Sequence, residues 1–138
     1  MFLNLLSEQQ KSSFLAMATK VILADGIISP EEEAVLDLRI AEMGGHVRAP
    51  AEEIYGISNT DIFDTRQARV IVLLELYVLV MSDSKYAPQE QEVMAPLADA
   101  WSMNEDEIES LKNWSEKAAP LSVSGWTMVM TGTIPEDL

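Results

Sequence analysis

The sequence predicts an all-α fold, a single compact domain of about six to seven helices, and three observations lead to that prediction. The stretch at residues 24–33 recurs 58 residues later at 82–91, and each copy lies between an apolar run and a run of helical periodicity. No stretch sustains the period of two that marks a strand. The 138 residues are 48% hydrophobic and 23% charged, as in one globular domain. We therefore expect domain 1–138 to hold two pseudo-symmetric helix-loop-helix repeats, at about 8–43 and 65–101, followed by a C-terminal helix and tail at 104–138.

The charge of the chain is strongly negative. It carries 23 Asp and Glu against 9 Lys and Arg, a formal net charge of -14. Such a field repels phosphate backbones and anionic membranes, so the expected partners are cations and proteins with basic surfaces, not nucleic acid. There is no cysteine, which excludes disulfides and thiolate chemistry. The N-terminus lacks the pattern of a signal peptide, and the longest apolar stretch, 70–81, falls short of the roughly 20 residues of a membrane span. A cytoplasmic protein that is not membrane-inserted is the expectation.

The helices of the first repeat have clear start and stop signals. Ser7 begins a capping box for the first helix, which should end near Ala24. Ser29 is expected at the N-cap of the second helix, with Pro30 at its first position. Gly44 and its neighbour should end that helix.

The second repeat follows the same plan. Asp64 or Thr65 is expected to cap a long helix that runs to about Met81. Its middle is so apolar that most of its faces should be buried. Glu75 is expected to mark the solvent-facing stripe, and the alternative is a ligand or partner contact that reaches the acidic cluster. Pro88 should start the next helix.

The remaining segments have weaker patterns. Residues 46–64 are irregular, with a short helix expected at about 50–55, and the lone His46 is expected to be exposed and idle. Asn104 begins a capping box for a last helix, which should end before Pro120. In the tail, four apolar residues are expected to dock on the core: Trp126, Met128, Val129 and Met130.

The first copy of the repeated loop resembles the back half of an EF-hand calcium loop. Asp25, Gly26, Ile28 and Glu32 match the spacing of that motif. Its front half fails, because the first and third ligand positions have no side-chain oxygen: they are Val21 and Leu23 in the first copy, and Leu79 and Met81 in the second. A standard EF-hand is therefore excluded.

Two carboxylates per loop remain, namely Asp25 with Glu32 and Asp83 with Glu90. In one interpretation each Asp caps its loop and each Glu closes a capping box. In the other, the two loops lie together and the four carboxylates form a weak site for Ca²⁺ or Mg²⁺, which prefer oxygen ligands. The second interpretation explains why both copies keep an Asp-to-Glu spacing of seven residues.

These residues carry a family resemblance. The pairs Asp25…Glu32 and Asp83…Glu90, each on a helix-loop-helix of a small acidic chain, resemble the TerB-like family (tellurite-resistance TerB), to which the N-terminal domain of DjlA-type co-chaperones is related. The resemblance covers about residues 8–115. It implies a seven-helix domain whose four acidic positions bind metal, linked to bacterial stress and tellurite resistance as a scaffold or sensor. The chain departs from the family pattern at residues 84–85, where Lys85 places a positive charge beside Asp83.

The leading functional hypothesis is a non-enzymatic TerB-like domain that binds a divalent cation weakly and presents an acidic face to protein partners. The alternative is a metal-independent interaction or dimerisation module whose acidic residues only cap helices, and a homodimer is compatible with either. A third hypothesis, a metal-dependent hydrolase built on the four carboxylates, would require a deep pocket beside them. One histidine and no cysteine leave few groups for general-base or nucleophilic catalysis, so no catalytic residue is predicted.

Overall fold

The described part of the chain is all-α, as predicted. The computed structural model describes residues 1–24, 26, 28–82 and 88–136, without the side chains of residues 31 and 88–90. Within these residues there are six α-helices, a short 3₁₀ turn at Leu3–Leu5 and no strand. The helices are Glu8–Leu23 (α1), Pro30–Glu42 (α2), Ala51–Ile54 (α3), Arg66–Met81 (α4), Pro88–Ala100 (α5) and Glu105–Thr131 (α6).

The helix bounds repeat at the spacing seen in the sequence. Helices α1 and α4 both have 16 residues, and α2 and α5 both have 13. The second pair starts 58 residues after the first (66 minus 8 and 88 minus 30). Six residues separate the two helices of each pair, 24–29 in one and 82–87 in the other.

The predicted N-terminal caps of the helices are present in the structure. Ser7, Ser29 and Asn104 each form a complete capping box, in which the cap side chain accepts from the third helical N–H and the third side chain accepts from the cap N–H. Thr65 caps α4 by accepting a hydrogen bond from the N–H of Ala68. Because the first N–H groups of a helix have no partner within it, each such cap contributes about 0.5–2 kcal/mol to stability.

Helix α4 lies at the centre of the core. Most of its residues are buried, including Leu73, Leu76 and Val80, which are inaccessible to solvent. It packs against α1, α2, α5, α6 and the 3₁₀ turn. Burial of each large apolar side chain contributes about 1.5–3 kcal/mol, so this helix supplies a large share of the hydrophobic stabilisation.

Side-chain donors hold the irregular connection between the two helix pairs. Each bonds a backbone carbonyl of that segment, which would otherwise lack a helical partner. The four bonds are Lys20 Nζ to Gly56 (2.7 Å), Gln10 Nε2 to Ile62 (3.0 Å), Arg69 Nε to Phe63 (2.7 Å) and Trp101 Nε1 to Thr60 (3.2 Å). The Trp101 ring also meets the buried Phe63 ring edge-on at 5.7 Å, which fastens the connection to the end of α5.

Three expectations about the later part of the chain are wrong. Helix α6 does not end before Pro120 but continues through it to Thr131. A proline removes one helical hydrogen bond and crowds the carbonyl four residues earlier. Here both Pro120 and Glu116 are exposed, so water can satisfy the carbonyl that loses its partner.

The tail does not dock on the core as expected. Val129 and Met130 are 73% and 66% exposed, Trp126 is 38% exposed, and only Met128 is half-buried. The reason is geometric, because α6 is about 40 Å long at 1.5 Å per residue and α4, against which it packs, spans only about 24 Å. The last buried residue of α6 is Ala119.

The third wrong expectation concerns Glu75. It does not mark a solvent-facing stripe of α4 but is 1% exposed.

Candidate functional site

Of the four predicted metal ligands, Glu32 is the one whose side chain the structure describes. It is the third residue of α2 and is 3% exposed. Its Oε1 accepts a hydrogen bond from the Ser29 N–H at 3.1 Å, while Ser29 Oγ accepts from the Glu32 N–H at 3.0 Å. The carboxylate also lies at the positive end of the helix dipole. The capping interpretation is therefore confirmed for this residue.

The other three predicted ligands fall outside the described residues. Asp25 and Asp83 are not described at all, and Glu90 belongs to α5 without a described side chain. Gly26, next to Asp25, has a φ of +79°, a left-handed conformation that favours glycine. Convergence of the four carboxylates therefore stays a prediction. Among the side chains that are described, no group of three Asp, Glu or His could hold a metal ion.

Four charged groups meet at the N-terminus and form what we call the charge cluster: the buried Arg39 and Glu75 and, nearer the surface, Glu42 and the Met1 amino group. Glu75 Oε1 accepts from the Met1 amino group at 2.8 Å and from the Phe2 N–H at 3.1 Å. Its Oε2 lies 3.0 Å from Arg39 Nε. Glu42 lies 2.8 Å from the Met1 amino group and 3.8 Å from Arg39 Nη1. Two positive and two negative charges balance within the cluster.

The Arg39 guanidinium is incompletely satisfied. The side chain is 5% exposed, and its Nη2 has no hydrogen-bond acceptor among the described residues. Although Nε is within ion-pair distance of Glu75 Oε2, neither atom has hydrogen-bonding geometry. Attraction between Arg39 and Glu75 is thus coulombic, and it is strengthened by the low polarity around both groups. Removal of Glu75 would leave the buried charge of Arg39 uncompensated, which is strongly destabilising.

Two residues in the sequence indicate this cluster, although the sequence analysis did not predict it. Glu75 stands alone in an apolar run, which suggested an exposed stripe. Arg39, however, lies four residues after Val35 and four before Met43, on the face by which α2 contacts the core. A basic residue at a core position of one helix and an acidic residue inside the most apolar helix together indicate a buried ion pair.

A groove runs beside this cluster, between α2 and the second half of α6. Its volume is about 550 Å³. The apolar walls come from Leu38 and Ala41 on α2 and from Leu121, Trp126 and Val129 on α6. Met1, Arg39 and Glu42 line one part of it. The size falls within the range of ligand pockets, but the wall on α6 is formed by exposed side chains.

His46 has a partner that the sequence did not predict. The residue is exposed, as expected, but its Nε2 lies 2.9 Å from Glu8 Oε2. This hydrogen bond raises the pKa of His46 above its usual 6.5 and, with Lys11, lowers the pKa of Glu8 below its usual 4.5. The pair ties the start of α1 to the segment after α2, and it lines an open cleft of about 580 Å³.

No protein-family model, curated protein or solved structure matches this chain. The TerB-like resemblance therefore rests on the residues quoted above. None of the helices within the described ranges has the length and apolar character to span a bilayer.

Proposed function

We propose that this chain is a non-enzymatic TerB-like domain that acts in the cytoplasm as an acidic scaffold or sensor in a bacterial stress or tellurite-resistance system. The observation that carries the proposal is the duplicated unit: two helix pairs of equal lengths, offset by 58 residues. Each pair is joined by six residues that include one Asp, and a Glu follows as the third residue of the next helix. The net charge of -14 supports basic proteins and cations as partners.

Within this function, Asp25, Glu32, Asp83 and Glu90 together bind Ca²⁺ or Mg²⁺ weakly. Oxygen-only ligands suit both cations. In the sequence each Asp comes two residues after the last residue of the preceding helix, whose C-terminal end carries the negative pole that a cation would offset. Lys85 opposes a cation at the second loop, which is consistent with weak binding.

A metal-independent interaction module is the second candidate, and the capping box of Glu32 favours it. In that case the acidic residues of the loops stabilise helix ends, and partner binding needs no cation. Both candidates predict a complex with a basic protein that weakens as salt rises.

Thermal unfolding with and without cation separates the two candidates. At a cation concentration about ten times Kd, a single native-state site adds about 1.4 kcal/mol of stability, which raises Tm by roughly 4–6 °C in a domain of this size. We expect this shift in the wild type with Ca²⁺ or Mg²⁺, and its loss when Asp25→Ala is combined with Asp83→Ala. A control with Asp61→Ala and Asp99→Ala removes the same charge from exposed positions outside the loops and should keep the shift.

The result can contradict the cation site in two ways. If the wild type does not respond, or if all three proteins respond alike, the loops do not bind the metal. The metal-independent module then remains.

A further inference from the structure

The second half of α6 exposes apolar side chains that no described residue covers. Beyond Ala119 the helix extends past the core, and its large residues are on the surface. The exposed fractions are 65% for Leu121, 40% for Val123, 38% for Trp126, 73% for Val129 and 66% for Met130, and Ile134 just after the helix is 77% exposed. Leu121, Trp126 and Val129 line the groove opposite Leu38 and Ala41, whereas Val123 and Met130 lie on another face of α6. We call these residues together with Ile134 the uncharged surface.

This surface contrasts with the rest of the chain in its charge. Residues 118–135 contain no charged side chain, although 23% of all residues are charged. The charged groups nearest the groove, Arg39, Glu42 and the Met1 amino group, are paired with one another or with Glu75. A basic partner would therefore find no acidic group here to recognise, and it would bind elsewhere on the acidic protein.

The size of the surface fits a protein interface. Taking roughly 150–200 Å² for a fully exposed side chain of this size, the six exposed side chains present on the order of 600 Å², against about 800 Å² per partner in a standard interface. That value lies at the upper end of the apolar patches found on monomers. The facing residues of α2 supply additional area.

We propose that two copies of this chain form a dimer through the uncharged surface, with the second half of α6 from each copy lying along the α2–α6 groove of the other. The surface is self-complementary, because it contains both a groove and an apolar helix that protrudes beyond the core. A twofold interface requires such a match, since the same patch meets itself. Because residues 118–135 carry no charge, two copies of net charge -14 can meet through this half of α6 without placing acidic side chains of the two helices against each other.

The charge of the chain gives the dimer a distinctive salt dependence. Two copies repel each other over the rest of their surfaces, and added salt screens that repulsion. The apolar contact itself is not weakened by moderate salt. The dimer should therefore tighten as NaCl increases, opposite to a complex held by charge attraction.

Sedimentation velocity of the full chain tests the dimer, over about 1–200 µM protein at low and at high NaCl, because this range brackets a micromolar Kd. We expect the wild type to dimerise, with a lower Kd at high salt. Leu121→Glu and Val129→Glu together should weaken the dimer by at least about a hundredfold, since twofold symmetry buries each unpaired charge twice. Tyr55→Glu combined with Ile57→Glu is the matched control, because it also adds two charges. Tyr55 and Ile57 are 83% and 92% exposed and do not line the groove, so this variant should dimerise like the wild type.

A second variant blocks the groove without adding charge. Gly125 lines the groove, and a Cβ built on it meets no atom within 4 Å, so a longer side chain fits the folded monomer and projects into open space. Gly125→Gln should therefore weaken the dimer while circular dichroism shows unchanged helix content.

The proposal is overturned if the wild type stays monomeric at all concentrations and salt levels, including the case in which that monomer binds neutral phosphatidylcholine vesicles. It is also overturned if Gly125→Gln or the double Glu variant dimerises as tightly as the wild type. These outcomes are independent of the cation test, which concerns different residues.

Discussion

Replacement of Glu75 should be among the most destabilising single substitutions in this protein. Glu75 is 1% exposed and interacts with three groups: the Met1 amino group, the Phe2 N–H and Arg39. Glu75→Leu leaves Arg39 buried, with Glu42 at 3.8 Å as its remaining carboxylate. An uncompensated buried charge costs about 3–5 kcal/mol. Domains of this size have a total stability of about 5–15 kcal/mol, so the substitution would remove roughly a fifth of it or more.

Arg39→Met should destabilise the protein less than Glu75→Leu does. Arg39→Met leaves Glu75 with the Met1 amino group and the Phe2 N–H, so the carboxylate keeps two donors. We expect a cost below the roughly 3–5 kcal/mol of Glu75→Leu, because the carboxylate that remains keeps part of its compensation. The double variant replaces both charges by apolar side chains of similar volume, so it should be more stable than Glu75→Leu alone. The two substitutions are then coupled by roughly 1–3 kcal/mol, as expected for residues in contact.

Urea unfolding followed by circular dichroism measures these differences. With a slope of about 2 kcal/mol per molar urea, Glu75→Leu should lower the midpoint by roughly 2 M. Arg66→Met is the matched control, because Arg66 pairs with Glu107 at the surface and its side chain is 64% exposed. This control should change stability by less than about 0.5 kcal/mol. If Glu75→Leu shifts the midpoint no more than Arg66→Met does, Glu75 is not buried and the cluster does not form in solution.

Two further predictions concern other parts of the chain. The pKa of His46, measured by NMR on the single histidine, should lie above 6.5 and fall towards that value in Glu8→Gln; an unchanged pKa would contradict the contact. Because the folded-state pKa of His46 is raised and that of Glu8 is lowered, the stability contributed by this pair is complete between about pH 4.5 and 6.5. It is lost as pH rises through the raised value of His46 and as pH falls through the lowered value of Glu8. Pro120→Ala should stabilise the protein by up to about 3 kcal/mol, since proline is that much less favourable than alanine inside a helix. A lower Tm for this variant than for the wild type would show that α6 does not continue through residue 120.

The helices of the repeats could be predicted because their signals are local. A cap such as Ser29 and a proline such as Pro30 act within one turn of helix, so the sequence shows both partners of each interaction. The same holds for Thr65 and Asn104, whose predicted roles are confirmed. The apolar run of α4 was long enough for helix to be preferred over strand, and its burial on most faces is confirmed.

Two of the three errors concern contacts between residues that are distant in sequence. Whether Glu75 meets water or Arg39 is decided by the packing of α2 on α4, and the residues lie 36 positions apart. Whether the tail docks is decided by the relative lengths of α4 and α6. The local rule for Pro120 failed because the carbonyl that it deprives of a partner is at the surface.

The candidate cation site also has one part that the local sequence predicts and one part that it does not. The capping role of Glu32 could be predicted from the sequence, because its partner Ser29 is only three residues earlier. A site shared by Asp25 and Asp83 depends on how the two loops approach each other, which a spacing of 58 residues does not specify. Asp25 and Asp83 themselves lie outside the described part of the chain, so the cation experiment decides this point.

The uneven distribution of charge connects the two proposals. Salt weakens the binding of a basic protein to an acidic surface, because it screens the attraction between them. Salt strengthens association through an uncharged surface of a strongly acidic chain, because it screens the repulsion between the two copies. A single salt series therefore reports on both surfaces with opposite signs. If the dimer forms, each assembly also presents two acidic faces, so a basic partner with two sites would bind more tightly than its single-site affinity implies, through effective concentration. Binding of such a two-site partner should be tightest at intermediate salt, where the dimer is already formed and attraction to basic partners is not yet screened.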